Sequence, residues 1–138
     1  MSEQSEILYV SEPNLDPAEF CRVLAESGFG ATHGELRLNA MLRQADLVLT
    51  ARLHRPGRKL VGVLRCVTDF SWICYVSELA VSASAQGLGI GKGLLYEARR
   101  QLGPAVAIAL ISTPNSVGFY EGIGLTRISD AFWLMREC

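Results

Sequence analysis

Lysine is scarce in this chain. Of thirteen basic residues only Lys59 and Lys92 are lysines, and fourteen acidic residues leave a net charge of -1. A chain this close to neutral has no global field to hold a polyanion, which argues against a dedicated nucleic-acid binder. Long hydrophobic runs are missing too. The longest, Ala105 to Ile111, is seven residues, far below the ~20 that a membrane-spanning helix needs. The segment Met1 to Glu6 is polar and acidic and lacks the basic and apolar stretches of a secretory leader. The expectation is a cytoplasmic protein with no membrane partner. The four cysteines, Cys21, Cys66, Cys74 and Cys138, show no CxxC spacing and no histidine close by. That pattern speaks against a disulfide framework or a metal site. Cys66 and Cys74 stand at strand-like positions and read as small core residues.

What is present is enough apolar material for a core. Hydrophobic residues are 49% and charged residues 20% of 138, the balance of a folded domain, read as one unit over residues 1–138. No repeat, linker or low-complexity tract divides it. Ile7 to Val10 reads as a short strand. Asp16 before Pro17 is a helix start, with Glu19 placed to complete a capping box. Phe20, Val23 and Leu24 follow at helical period, and Gly28 and Gly30 end the helix. A second helix is expected from about His33 to Arg43, with Leu36, Ala40 and Met41 inward. Asp46 to Leu53, Lys59 to Asp69 and Trp72 to Val81 then read as an antiparallel meander. A helix from about Gly89 to Leu102 stops at Gly103-Pro104. Ala105 to Ile111, apolar throughout, reads as a central strand covered on both faces. Pro114-Asn115 opens a short helix to Glu121, and Leu125 to Ile128 with Phe132 to Met135 suggest a closing hairpin. The order β-α-α-β-β-β-α-β-α-β-β implies an α/β or α+β fold, a mixed sheet with helices on both faces.

The most informative stretch joins the third strand of the meander to the following helix. Gly87, Gly89, Gly91 and Gly93 alternate there, at the start of a helix. Glycines let a backbone approach a ligand closely, and a helix N-terminus presents free N–H donors and a positive dipole end. A phosphate or pyrophosphate suits such a turn. Two common phosphate loops do not match. Gly91-Lys92 is followed by Gly93, not by the Ser or Thr of a P-loop, and Gln86 stands where its first glycine belongs. The dinucleotide GxGxxG fails at Lys92 and Leu94.

Gln86-Gly87-Leu88-Gly89-Ile90-Gly91 resembles the (Arg/Gln)-x-x-Gly-x-(Gly/Ala) signature of the GNAT superfamily of N-acetyltransferases. Downstream, Asn115-Ser116-Val117-Gly118-Phe119-Tyr120 followed by Gly124-Leu125 resembles that family's N-x-x-x-x-F-Y-x-x-x-G-F segment, with one residue fewer between Asn115 and Phe119. The resemblance spans about Leu60 to Leu125. It implies a GNAT-like fold and acetyl-CoA as co-substrate. The backbone of Gln86, Gly87, Leu88, Gly89, Ile90, Gly91 and Lys92 would cradle the pyrophosphate. The strand end Leu79, Ala80 and Val81 would hold the pantetheine, splayed from the strand Ala105 to Ile111 by a bulge. Gln86 stands where many members have Arg, which removes one charge contact. The implied activity is transfer of acetyl to a primary amine, small molecule or peptide, by direct attack. An acyl-CoA-binding module without turnover is the alternative. Homodimers joined through the sheet edge or the C-terminal strand also occur among small proteins of this kind.

Acetyl transfer to an amine needs a place for the amine's proton and a proton for the leaving thiolate. By the resemblance, Tyr120 is the candidate acid; its bland role is ring packing. Glu78 is the carboxylate on the strand facing the cleft and the candidate base, unless it pairs with Arg52 or Arg65 or points to solvent. Asn115 either bonds the pantetheine or caps the short helix. Lys92 either touches a phosphate or is a solvated first-turn residue. His33, in the region that would line the acceptor side, reads as structural or solvated, and His54 as turn. Phe70 and Trp72 either wall the acceptor site or cover the sheet. Trp133 reads as core.

Overall fold

A computed structural model describes residues 6–28 and 33–137. Gly30 and Cys138, named above, lie outside them. Five strands form one sheet in the order β1 (Ile7–Ser11), β2 (Leu47–Leu53), β3 (Leu60–Thr68), β4 (Ile73–Val81) and β5 (Ala107–Leu110). The first four run antiparallel to their neighbours, and β5 is parallel to β4. Helices α1 (Pro17–Glu26) and α2 (Glu35–Gln44) precede β2, α3 (Ile90–Leu102) bridges β4 to β5, and α4 (Val117–Gly122) follows β5. The mixed sheet with helices on both faces is the expected class.

Each face has its own core. Phe20, Val23 and Leu24 of α1 and Leu38 and Leu42 of α2 pack on Val48, Leu60, Val63 and Ala80. On the other face Ile90, Leu94, Leu95 and Ala98 of α3 pack on Leu49, Val61, Leu64, Cys66, Cys74 and Val76. Cys66 and Cys74 are fully buried there, as their strand positions suggest. The buried stripe of α2 differs from the expected one: Leu36 and Ala40 are exposed, and Leu38 and Leu42 turn inward one turn apart.

Asp16 caps α1 by accepting from the Ala18 N–H at 2.9 Å. Glu19 does not close the capping box. Its carboxylate takes two hydrogen bonds from Arg52, each 3.0 Å, while Arg52 also holds Glu12 at 2.6 and 2.9 Å. A guanidinium forked between two carboxylates ties α1 and the chain after β1 to β2.

Three expectations at the C-terminal end are corrected. β5 is the sheet's edge, not a central strand, and residues Ala107 and Ala109 are exposed. Their small side chains need no cover, so an all-apolar run does not imply burial on both faces. The closing hairpin is not formed. Residues 125–137 contain no strand, and Phe132 and Leu134 are 95% and 98% exposed. β-propensity in that segment finds no ladder partner among the described residues. Trp133 is half-exposed, not core, and lies against Tyr75 with ring centroids 6.2 Å apart.

Candidate active site

The site starts from an irregularity in β4. Arg65 pairs with Glu78 and Cys66 with Val76, so Ser77 is an extra residue. Such a bulge bends its strand and shifts the alternation of side chains. Before it, Cys74 and Val76 face α3; after it, Leu79 and Val81 do, and Ala80 faces α1. β5 pairs only with Ile73 to Val76. From Ser77 onward β4 leaves β5, and its edge is open among the described residues. This is the expected bulge and splay.

The turn into α3 closes one end of that opening. Gly87 and Gly89 have φ of 89° and 77°, a left-handed backbone that favours glycine. The first bond inside α3 runs from the Gly93 N–H to the Gly89 carbonyl at 2.9 Å. The N–H groups of Ile90, Gly91 and Lys92 therefore have no acceptor within the helix. The other two glycines have a different cause. A Cβ on Gly93 would lie 2.2 Å from the Tyr9 hydroxyl oxygen, and one on Gly91 would lie 3.1 Å from the Phe119 ring. These two let α3 sit down on β1 and let α4 sit down on α3.

Two cavities flank the open edge. The larger, about 590 Å³, runs from the α3 turn to α4 and is lined by Leu79, Val81, Gln86, Gly91, Asn115 and Phe119, among others. The smaller, about 190 Å³, lies toward α1 and is lined by Leu24, His33, Ser77, Glu78, Leu110 and Ile111, among others. Leu79, Thr113, Ser116 and Tyr120 line both. The hydroxyl-bearing ring of Tyr120 thus belongs to the common wall. Burial pushes its phenol above the ordinary tyrosine value, so it stays protonated at neutral pH. Its ring meets Phe119 edge-on, with centroids 5.1 Å apart.

Glu78 is brought to the smaller cavity and is also paired. Arg65 Nη1 lies 3.5 Å from its carboxylate and donates to the Ser77 hydroxyl at 2.6 Å, and the Ser77 hydroxyl in turn bonds Glu78. Arg65 is held from behind by the Met41 carbonyl at 2.9 Å. Glu78 therefore faces the cavity and is also the partner of Arg65.

The remaining sequence candidates divide. Ala80 and Ile90 send their side chains into the core. Ala80 also spends its backbone on Val63 in the ladder, so of these two only the Ile90 N–H is free to serve a ligand. Gln86 donates to the Val81 carbonyl at 3.0 Å and to the Ser27 carbonyl at 3.5 Å. The side chain at 86 fastens the turn to β4 and α1. Asn115 lines the larger cavity, while the cap positions beside it fall on Thr113 and Ser116. Lys92 lies over the Tyr96 ring at 5.3 Å. Phe70 and Trp72 are exposed at the far turn of the sheet and line neither cavity. Thr113 and Ser116, which line both cavities, carry no sequence signal beyond their place beside Pro114-Asn115. Among the described residues no group of His, Cys, Asp or Glu could hold a metal, and no helix is long and apolar enough to cross a membrane.

Comparison with known proteins agrees with this geometry. Residues 27–133 match the acetyltransferase (GNAT) domain family. Serotonin N-acetyltransferase 2, chloroplastic, of Oryza sativa subsp. japonica is 31% identical over 124 residues, covering 88% of this chain and 62% of its own. The chain spans 62% of the length of the curated relatives it matches. Among solved structures, a GNAT-family acetyltransferase of Streptococcus pneumoniae superposes with TM-score 0.70 at 25% identity, covering 95% of this chain and 99% of that one. AAC(6')-Iy, in complex with a bisubstrate analogue of CoA and acetylneamine, superposes with TM-score 0.73 at 12% identity, covering 96% and 99%. The match over residues 27–133, on a sheet that splays at Ser77 and a helix that starts at Gly89, settles the family: the chain belongs to the GNAT acetyltransferases.

Proposed function

We propose that this protein moves an acetyl group from acetyl-CoA to a primary amine by direct attack. The observation that carries this reading is the wall of Leu79, Thr113, Ser116 and Tyr120 shared by the two cavities. A thioester in the larger cavity and an amine in the smaller would meet at that wall. The chain fits the co-substrate in two ways. The N–H groups of Ile90, Gly91 and Lys92 suit a pyrophosphate, and the open edge of β4 past Ser77 suits a pantetheine amide.

The residues then divide the chemistry. The edge near Leu79 offers a backbone N–H to the thioester carbonyl, whose oxygen gains charge as the C–N bond forms. Glu78, directly or through a water, takes the proton that the amine loses. Tyr120 gives its phenolic proton to the sulfur as the C–S bond breaks, and regains one from solvent. Leu24, Val76 and Leu110 give the amine's body apolar contact on that side. Those contacts lie beside the polar wall of Ser77, Ser112, Thr113 and Ser116; with a relative named for serotonin, they suit a compact amine that pairs an apolar body with a polar head.

The test is release of free thiol from acetyl-CoA with 2-phenylethylamine, tryptamine, spermidine and a lysine peptide. Amine-dependent release, strongest with the two arylalkylamines, supports the reading. CoA binding without release on any amine would leave a binding module instead.

A further inference from the structure

An apolar strip of the sheet leads away from the smaller cavity. Cys74 and Val76 of β4 belong to the core beneath α3, and Ile108 and Leu110 of β5 pack against it. Tyr75 and Ala109, which alternate with them, therefore turn to the opposite face. The two are register partners across β4 and β5. Glu78 belongs to the same face, because Arg65 reaches its carboxylate and also donates to the Met41 carbonyl of α2. Ala109 is exposed and Tyr75 half-buried. Two residues beyond Ala109, Ile111 is exposed and lines the smaller cavity. The strip is thus continuous with the cavity that holds Glu78, with an alanine for its floor and a tyrosine for its side.

Trp133 adds a second ring to that side. It rests on Tyr75 with centroids 6.2 Å apart and planes at 32°, yet it stays 51% exposed. The pair is a half-open aromatic surface, not a closed core. Its distance from Glu78 follows from the register. Tyr75 pairs with Val67 and Glu78 with Arg65, so two strand steps on β3, ~7 Å, separate the tyrosine from the carboxylate. The phenol of Tyr75 registers that nearness: burial raises it first, and the charge of Glu78 raises it further. An amine nitrogen joined to an aromatic ring by two carbons has a reach of the same order.

We propose that Tyr75 and Trp133 form the subsite for the body of the acceptor: an aromatic ring of the amine lies against them while its nitrogen stands at Glu78. The assignment rests on the acetyltransferase reading above and narrows the acceptor to arylalkylamines with a short chain. Aromatic rings attract one another, offset or edge-on, beyond the area they bury. A linear alkylamine buries some area on the strip but gains nothing from the rings as rings. The subsite acts on the amine alone, because neither Tyr75 nor Trp133 lines the cavity assigned to acetyl-CoA.

The experiment compares the parent with Trp133→Ala and Trp133→Phe, by kcat/KM for 2-phenylethylamine and for n-butylamine, which has no ring. The parent should prefer 2-phenylethylamine. Trp133→Ala should cut kcat/KM for that amine ~10-fold, the scale of a lost aromatic contact and its buried area, and leave n-butylamine within about twofold. Trp133→Phe should recover most of the loss. The CoA-induced shift in melting temperature should be the same in all three. A second readout does not depend on turnover. The chain has two tryptophans, Trp72 and Trp133, so in Trp72→Phe the indole emission is that of Trp133. With CoA bound, 2-phenylethylamine should shield this emission from quenching by acrylamide, and n-butylamine should not. An active parent in which Trp133→Ala slows both amines equally overturns the assignment, since that marks a purely structural ring. So does a Trp133 emission that 2-phenylethylamine leaves open to acrylamide. A parent that releases no thiol with any amine instead defeats the acetyltransferase reading, and this assignment falls with it.

Discussion

Arg65 and Glu78 face each other across β3 and β4 at the bulge, with guanidinium and carboxylate 3.5 Å apart. The bulge places Ser77 beside them, where its hydroxyl bonds both partners. One local irregularity thus opens the cleft and orients the carboxylate that faces it. Glu78→Gln keeps the shape and the hydrogen bond to Ser77 but cannot take a proton. Turnover should fall ~10²-fold or more, the scale of a general base, with CoA affinity preserved. Steady-state kinetics on the variant decide it; unchanged turnover would leave Glu78 as a partner of Arg65 only.

Tyr120→Phe removes one hydroxyl and keeps the ring that meets Phe119. Turnover should fall ~10²-fold while CoA affinity stays, because in the proposed site binding would rest mainly on the α3 turn and the β4 edge. The pH profile gives an independent readout. Burial raises the phenol, so the proton-donating form persists through neutral pH, and its loss appears only above the ordinary value of ~10. That alkaline decline should be present in the parent and absent in Tyr120→Phe. A variant as fast as the parent would reduce Tyr120 to a wall residue.

The four alternating glycines separate into two pairs. Gly93→Ala brings a Cβ within 2.2 Å of the Tyr9 hydroxyl and should lower stability by about 1–3 kcal/mol. In a Tyr9→Leu background the same change should cost much less, since alanine favours a helix by up to ~1 kcal/mol over glycine. Chemical denaturation of the four proteins of that cycle measures the coupling. Additive losses would mean that Tyr9 is not what excludes the side chain.

The fork at Arg52 makes a prediction about acid. Its hydrogen bonds hold the Glu12 carboxyl below the usual carboxylate range. A carboxyl lowered by folding adds stability above its unfolded value of ~4.3 and loses it as pH falls through the lowered folded value. Glu12→Gln should therefore melt below the parent at pH 7, and the gap should narrow as pH drops below ~4. Calorimetric scans across that range test it; a gap independent of pH would contradict it.

These residues also show what was legible in the sequence. Asp16-Pro17, the meander and the turn from Gln86 into α3 were readable because caps, alternation and glycine spacing are local properties. A bulge in this strand was expected from family resemblance, near Leu79 to Val81, and no residue announces that it falls at Ser77. Gly93 looked like its neighbours at 87 and 89, because the ring that requires it belongs to Tyr9, on the first strand. The run Ala105 to Ile111 shows composition but not whether another strand will cover its far edge. Glu19 matched a capping box, yet a bidentate guanidinium across the sheet outcompeted the backbone N–H for its carboxylate. His33 has no pattern around it, and only the fold brings it to the wall of the smaller cavity.

The central claim is that the turn at Gly87 to Lys92 and the open edge of β4 form a CoA site. The direct measurement is the melting temperature of the parent and of Gly89→Val with increasing CoA. At 100 times its dissociation constant, CoA should stabilise the parent by ~2.7 kcal/mol, a shift of several degrees. Gly89→Val, with a branched side chain at a φ of 77° where the pyrophosphate would approach, should show little or none of that shift. A parent whose melting temperature does not move at millimolar CoA, or a variant that gains as much as the parent, would contradict the account.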